Sequence, residues 1–225
     1  MAPIYNPAAS ATATGADEQY FTDLGLLTGL TKLIDISGGD TFPTPTAGKG
    51  TAAAVSGNSL KWGAAIADSW QGYNLSGGPF TKLLTIVYIS QSSAPYQYLF
   101  NNKAVLNVTT NYPDDTYAAV NSPGTPDSSL YKITSTTWTA LGIDATWYSG
   151  TTATPVPSDP PYGMALYTSY TGGAGSQRMF MRMGTAEWVP LFTTTDGDTQ
   201  EFQSVQLWTR ASNQRAITPF TVWGA

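Results

Sequence analysis

The chain has no histidine, no cysteine and little charge. Asp, Glu, Lys and Arg make up 11% of its 225 residues, against about 25% in an average globular protein. Each shortage closes off chemistry. Without His or Cys there is no Ser-His-Asp or Cys-His nucleophile and no imidazole or thiolate zinc site. Acid–base catalysis would fall to carboxylates, Lys or Tyr, so no enzyme and no catalytic residue is expected. Disulfides are excluded, which suits a reducing compartment. The net charge is −5, and the arginines are confined to positions 178, 182, 210 and 215. No basic stripe for phosphates results, and no nucleic-acid partner is expected. Glu occurs only at 18, 187 and 201, too rarely to dress long helical surfaces. The longest apolar run, residues 83–89, is broken by Thr85 and too short for a bilayer-spanning helix, so no membrane insertion is expected. The N-terminus lacks a basic region followed by an apolar core, so no secretory signal is expected either.

What remains is Thr, Ser, Gly and aromatic residues, a strand-forming composition. Turn signals recur about every ten residues between short apolar runs, the pattern of a sandwich or barrel. Residues 1–16 carry Pro3, Tyr5, Pro7 and a run of small residues, which disfavours both helix and core strand. They are expected to form an extended arm that lies on another subunit through Pro3, Tyr5 and Pro7. A short helix or turn, then a strand at 31–36, should follow. Residues 1–40 thus form the arm with its short helix and strand, and residues 41–225 a single β-sandwich domain. Residues 41–58 read as a loop.

Residues 80–90 are apolar on both faces of a strand, which places them centrally in a sheet covered on both sides. Strands at 96–100 and 103–109 are expected to meet in a tight turn at Asn101-Asn102, since Asn tolerates positive φ. Further strands are expected at 117–120, 130–133, 138–141, 146–148, 164–170, 202–210 and 218–223. Residues 177–192 form a hairpin around Gly184-Thr185-Ala186. Met179, Met181 and Met183 alternate with Arg178, Phe180 and Arg182. The methionines should face the core, and Arg178, Phe180 and Arg182 should offer an outer face for a subunit contact.

The strand at 164–170, the hairpin, and the stretch Gln203-Ser204-Val205-Gln206-Leu207-Trp208-Thr209-Arg210-Ala211 together resemble concanavalin A-like, laminin-G-like jelly rolls. That resemblance implies an all-β, antiparallel jelly-roll sandwich with an extended N-terminal arm. The hairpin lacks the family's usual Asn-Gly turn, and calcium ligands do not match residue by residue. In its low charge, Thr/Ser/Gly richness, lack of Cys and Pro-bearing arm the chain also resembles bacteriophage virion proteins of the capsid-decoration or fibre type. This implies a non-enzymatic structural protein of the virion, made in the host cytoplasm. Its expected partners are capsid or tail subunits and further copies of itself, with a trimer favoured. The alternative is a lectin-like module for a cell-surface glycan.

The residues bear on these alternatives only in part. Jelly-roll glycosidases place alternating acids on one strand, and no such pattern occurs. Asp114-Asp115 and Asp196-Gly197-Asp198 read as solvated loop acids. Calcium is the one metal they could serve, but no complete loop motif is present and no cofactor is expected. Trp62, Trp70, Tyr73, Trp138, Trp147 and Tyr148 could stack on sugars, although aromatics in strands usually fill a core. Trp147 and Tyr148, beside Gly150 and a Pro-rich loop, are the pair expected to bind a glycan.

Overall fold

A computed structural model describes residues 13–49, 54–61, 70–89, 97–107, 116–121, 128–134, 137–144, 162–171, 174–183, 187–195, 201–209 and 215–225. Within them the chain runs as one helix, α1 (Ala13–Asp23), and fifteen strands. They are β1 (Thr31–Ile36), β2 (Ala47–Lys49), β3 (Ala54–Ser56), β4 (Ser59–Lys61), β5 (Trp70–Asn74), β6 (Lys82–Ile89), β7 (Gln97–Asn102) and β8 (Thr116–Asn121). Then follow β9 (Ser128–Thr134), β10 (Thr137–Asp144), β11 (Tyr162–Thr171), β12 (Ala174–Met183), β13 (Glu187–Thr195), β14 (Ser204–Thr209) and β15 (Arg215–Gly224).

All pairings are antiparallel. One sheet has the order β13-β12-β11-β6-β15-β4-β3, with β1 also on β15; the other runs β10-β9-β8-β7-β14-β5-β2. Their inner faces share one core. Leu83, Val87, Met164, Leu166, Met179, Met181, Phe220 and Val222 come from the first sheet, and Tyr73, Leu99, Tyr117, Leu130, Val205 and Leu207 from the second. This is the antiparallel jelly-roll sandwich expected. Strand β6 lies between β11 and β15. Leu83 and Val87 enter the core, while Leu84, Ile86 and Tyr88 enter a second apolar cluster on the other face. Both faces of this strand are therefore covered, which is why it reads as a continuous apolar run. The strand expected at 31–36 is β1. The loop expected at 41–58 contains the short strands β2 and β3, three residues each, too brief to show a period.

One expectation fails instructively. Asn101 and Asn102 end strand β7 instead of forming a turn, and residues 103–107 are not a strand. Asn101 points into the sandwich and is fully buried. Its Oδ1 accepts from Thr85 Oγ1 at 2.8 Å, and its Nδ2 donates to Leu166 O and Thr168 Oγ1, both at 3.2 Å. The amide thus ties the two sheets together across an otherwise apolar core. Local preference for a turn loses because a buried amide with several partners is stable where a solvated one would be merely tolerated. Asn101→Leu leaves the buried Thr85 hydroxyl without its acceptor and removes a donor from Leu166 O and Thr168 Oγ1, although Thr168 still donates to Leu83 O at 3.4 Å. Each unmade bond costs about 1–3 kcal/mol, so chemical denaturation should show a loss of about 2–4 kcal/mol.

Candidate functional site

The outer faces of the two sheets differ in what covers them. On the eight-stranded sheet lies α1. Eleven residues make a helix that is marginal alone, and this one contains Gly15 and has no acidic residue in its first turn. It persists because one face docks. Asp17, Tyr20 and Phe21 sit at i, i+3 and i+4, so they share that face, and all three are buried. Phe21 meets Phe180 and Trp188 edge-on, with ring centroids 5.2 Å apart in both cases, and Tyr20 stacks on Trp188. Burial pushes the Tyr20 hydroxyl up to about 12.

Asp17 carries a carboxylate into this apolar layer. It accepts from Tyr88 Oη at 2.6 Å and Trp188 Nε1 at 2.7 Å, and Arg182 Nε lies 3.7 Å away. The Arg182 guanidinium sits over the Tyr88 ring, 4.7 Å from its centroid. Burial pushes the Asp17 carboxyl above its ordinary value, against the two hydrogen bonds and the guanidinium, which pull it down. Burial, and then the charge of Asp17, push the Tyr88 hydroxyl well up, so Tyr88 remains a donor.

This packing corrects one expectation. Met179 and Met181 do face the core, but Phe180 and Arg182 are not an outer contact face, because α1 of the same chain covers them. Arg178, on the same side of β12, is half-buried. The period-2 pattern correctly separates the two faces of β12, but it carries no information on what lies over each.

The outer face of the seven-stranded sheet is polar at its centre. Antiparallel register sets three rows across β5, β14 and β7: Trp70, Trp208 and Tyr98; Gly72, Gln206 and Phe100; Asn74, Ser204 and Asn102. Opposite residues share a face, and Tyr73, Val205 and Leu99 point into the core, so Trp70, Asn74, Phe100, Asn102, Ser204 and Gln206 point out. Yet Trp70, Phe100, Asn102, Ser204 and Gln206 are all 0% exposed. Part of the cover is residues 103–107, which fold back over the sheet. Asn74 holds Leu106 from both sides: Asn74 Nδ2 donates to Leu106 O at 3.1 Å, and Leu106 N donates to Asn74 Oδ1 at 2.8 Å. Ser204 Oγ donates to Ala104 O at 2.6 Å.

On this face, five buried polar atoms have no hydrogen bond: both amide atoms of Asn102, both of Gln206, and the indole nitrogen of Trp70. Buried polar atoms are paired in the great majority of cases, and each orphan costs about 1–3 kcal/mol. Their inventory is mixed. Two amide oxygens accept, two amide nitrogens donate twice each, and the indole donates once. Charge is missing from the set, so the matching partner is a group that both donates and accepts, such as a hydroxyl.

Trp70, which the sequence placed among several aromatic candidates, belongs to this site. Tyr73 belongs to the core, with its hydroxyl donated to Pro43 O at 2.8 Å. Sequence reasoning missed Asn102 and Gln206. The alternation Ser204-Val205-Gln206-Leu207 was the available signal, since it puts Gln206 on the face opposite the core. Pro3, Tyr5, Pro7, Trp62, Trp147, Tyr148 and the acids at 114, 115, 196 and 198 lie outside the described residues. Among the described residues, no group of three or more carboxylates could hold a metal, and no helix is long and apolar enough to cross a membrane.

No protein-family model and no curated protein matches the chain. Several solved structures resemble it in outline. The exoplasmic/lumenal domain of VIP36 in its Ca2+-bound form is 12% identical with a TM-score of 0.48, covering 88% of this chain and 93% of that one. The Ca2+/Man2-bound form of that domain is 11% identical with a TM-score of 0.46, over 77% and 79%. The CBM2 module of the evolved Dit of Lactobacillus casei BL23 phage J-1 is 12% identical with a TM-score of 0.44, over 88% and 87%. Likenesses this distant carry no argument about ligands, so the functional reading rests on the chain's own residues.

Proposed function

We propose that this protein is a non-catalytic carbohydrate-binding module of the lectin kind, displayed on a bacteriophage virion. The observation that carries the reading is the strip of unpartnered amides, Asn102 and Gln206, beside the indole of Trp70. Few convergent polar groups next to an aromatic surface are what a small-molecule site offers. Sugar hydroxyls both donate and accept, and sugar C–H faces stack on indole. Trp147 and Tyr148 are proposed as further sugar-stacking residues. The virion half of the reading is supported by composition: 11% charge and abundant small polar residues suit packed surfaces between subunits.

Two measurements test the halves separately. On a glycan array the purified protein should bind a defined set of oligosaccharides; no binding to any of them defeats the glycan reading. Deleting residues 1–12, which precede α1, should abolish particle association and leave the melting temperature unchanged. Undiminished association would remove the arm as the anchor.

A further inference from the structure

Residues 103–107 combine features that a mere connection does not need. Lys103, Ala104, Val105 and Asn107 are exposed, and Val105 is 52% exposed. Only Leu106 turns inward, at 4% exposure. It rests on Gly72, where an added Cβ would stand 2.2 Å from Leu106 Cδ1. The glycine therefore makes room for the leucine. Four backbone groups of the segment are bonded to side chains of the neighbouring strands and their flanks: Lys103 O to Gln203 Nε2 at 3.0 Å, Ala104 O to Ser204 Oγ, and Leu106 O and N to the Asn74 amide. The segment thus presents the sheet with a short row of acceptors, one donor and one apolar plug. A sugar chain would present the same kinds of groups.

Register shows what the plug closes. Gly72 stands directly opposite Gln206, and the rows on either side hold Trp70 and Asn74 with Asn102. Lifting Leu106 would open a gap whose edges are the unpartnered amides and the indole. We propose that residues 103–107 are a displaceable cover occupying the ligand's place on this face, with Leu106 as its plug and Asn74 as its latch. The inference rests on the glycan reading of the same site. A short, largely exposed segment outside the strands belongs to the less stable part of a fold, which opens without global unfolding. The ligand then competes with a piece of the chain itself, and its measured affinity is lowered by the fraction of time the cover is closed.

The test uses Leu106→Ala in the full chain, with Asn74→Ala as a second variant should the first fail to fold. Hydrogen exchange without ligand reads the cover directly. The amides of residues 103–107 should exchange about tenfold faster or more in either variant, with circular dichroism and melting otherwise retained. The best oligosaccharide from the array should bind Leu106→Ala more tightly, by about threefold or more. Unchanged exchange at the Leu106 amide, or weaker sugar binding by Leu106→Ala with its fold intact, overturns the cover. If no oligosaccharide binds any form, the glycan reading fails, and the exchange result still decides whether the segment opens.

Discussion

Gln206→Leu should raise stability by about 1–2 kcal/mol while abolishing sugar binding. Replacing a buried residue of a well-packed core usually does the reverse. Gln206 is 0% exposed, and neither atom of its amide has a partner. The folded protein therefore carries a desolvation penalty that leucine, of similar size, would remove. A ligand that pairs both amide atoms loses those bonds, and a site built to hydrogen-bond hydroxyls discriminates strongly when the pairing is lost. The two readouts are the midpoint of urea unfolding and binding to the array's best oligosaccharide. Destabilisation together with unchanged binding would show that the amide is satisfied by the protein fold and plays no part in recognition. Asn102→Leu is a less clean variant, because Asn102 also leads into residues 103–107.

A second large effect is expected at Asp17. Removing the carboxylate by Asp17→Ala leaves the Arg182 guanidinium, the Tyr88 hydroxyl and the Trp188 indole N–H buried without it. Breaking a buried ion pair from one side costs about 3–5 kcal/mol. The loss should appear as undocking of α1, seen by rapid exchange of its amides and altered Trp188 fluorescence. If these are unchanged, the helix is held without Asp17, by its apolar contacts and the Glu18–Lys32 ion pair.

The same carboxylate makes docking depend on pH, with a sign opposite to that of most ion-paired acids. Burial raises the Asp17 carboxyl above its ordinary value of 3.8. Between that value and the raised one, the folded state holds a proton that the unfolded state has lost. Stability from this group is therefore fully present below the ordinary carboxylate range. It declines as pH rises through the raised value. The facing groups are Tyr88, Arg182 and Glu18. Burial holds the Tyr88 proton far above this range, the charge of Arg182 pulls the Asp17 carboxyl down, and the like charge of Glu18 pushes it up. Unfolding midpoints measured across the mildly acidic range should fall with rising pH in the native protein, and this component should vanish in Asp17→Asn. A rising midpoint that tracks Asp17 would show that the hydrogen bonds and the guanidinium outweigh burial.

How much of this was readable in the sequence depended on the range of the interaction. Strand β6 was legible because continuous apolarity over residues 83–89 has one reading, a strand covered on both faces. The faces of β12 were legible because Met179 and Met181 alternate with Phe180 and Arg182. Asn101 and Asn102 misled, because their turn preference is local, whereas the partners that hold Asn101 in the core, Thr85, Leu166 and Thr168, lie 16 to 67 positions away. Phe180 and Arg182 misled for the same reason: the helix that covers them starts more than 150 residues earlier in sequence. Gln206 carried no local mark of importance, and only its place between Gly72 and Phe100 across three strands makes it part of a site.

By itself, the sequence determined an all-β sandwich or barrel, because periodicity and turn chemistry are properties of neighbouring residues, and the choice of the antiparallel sandwich came with the resemblance to concanavalin A-like jelly rolls. It also excluded His- and Cys-based chemistry, because composition survives any fold. Tertiary structure alone decided which outer face is capped by α1 and which holds unpartnered amides under residues 103–107. Those outcomes depend on contacts between residues 32 to 171 positions apart, and a pattern of near neighbours cannot encode which distant partner arrives to cover a face.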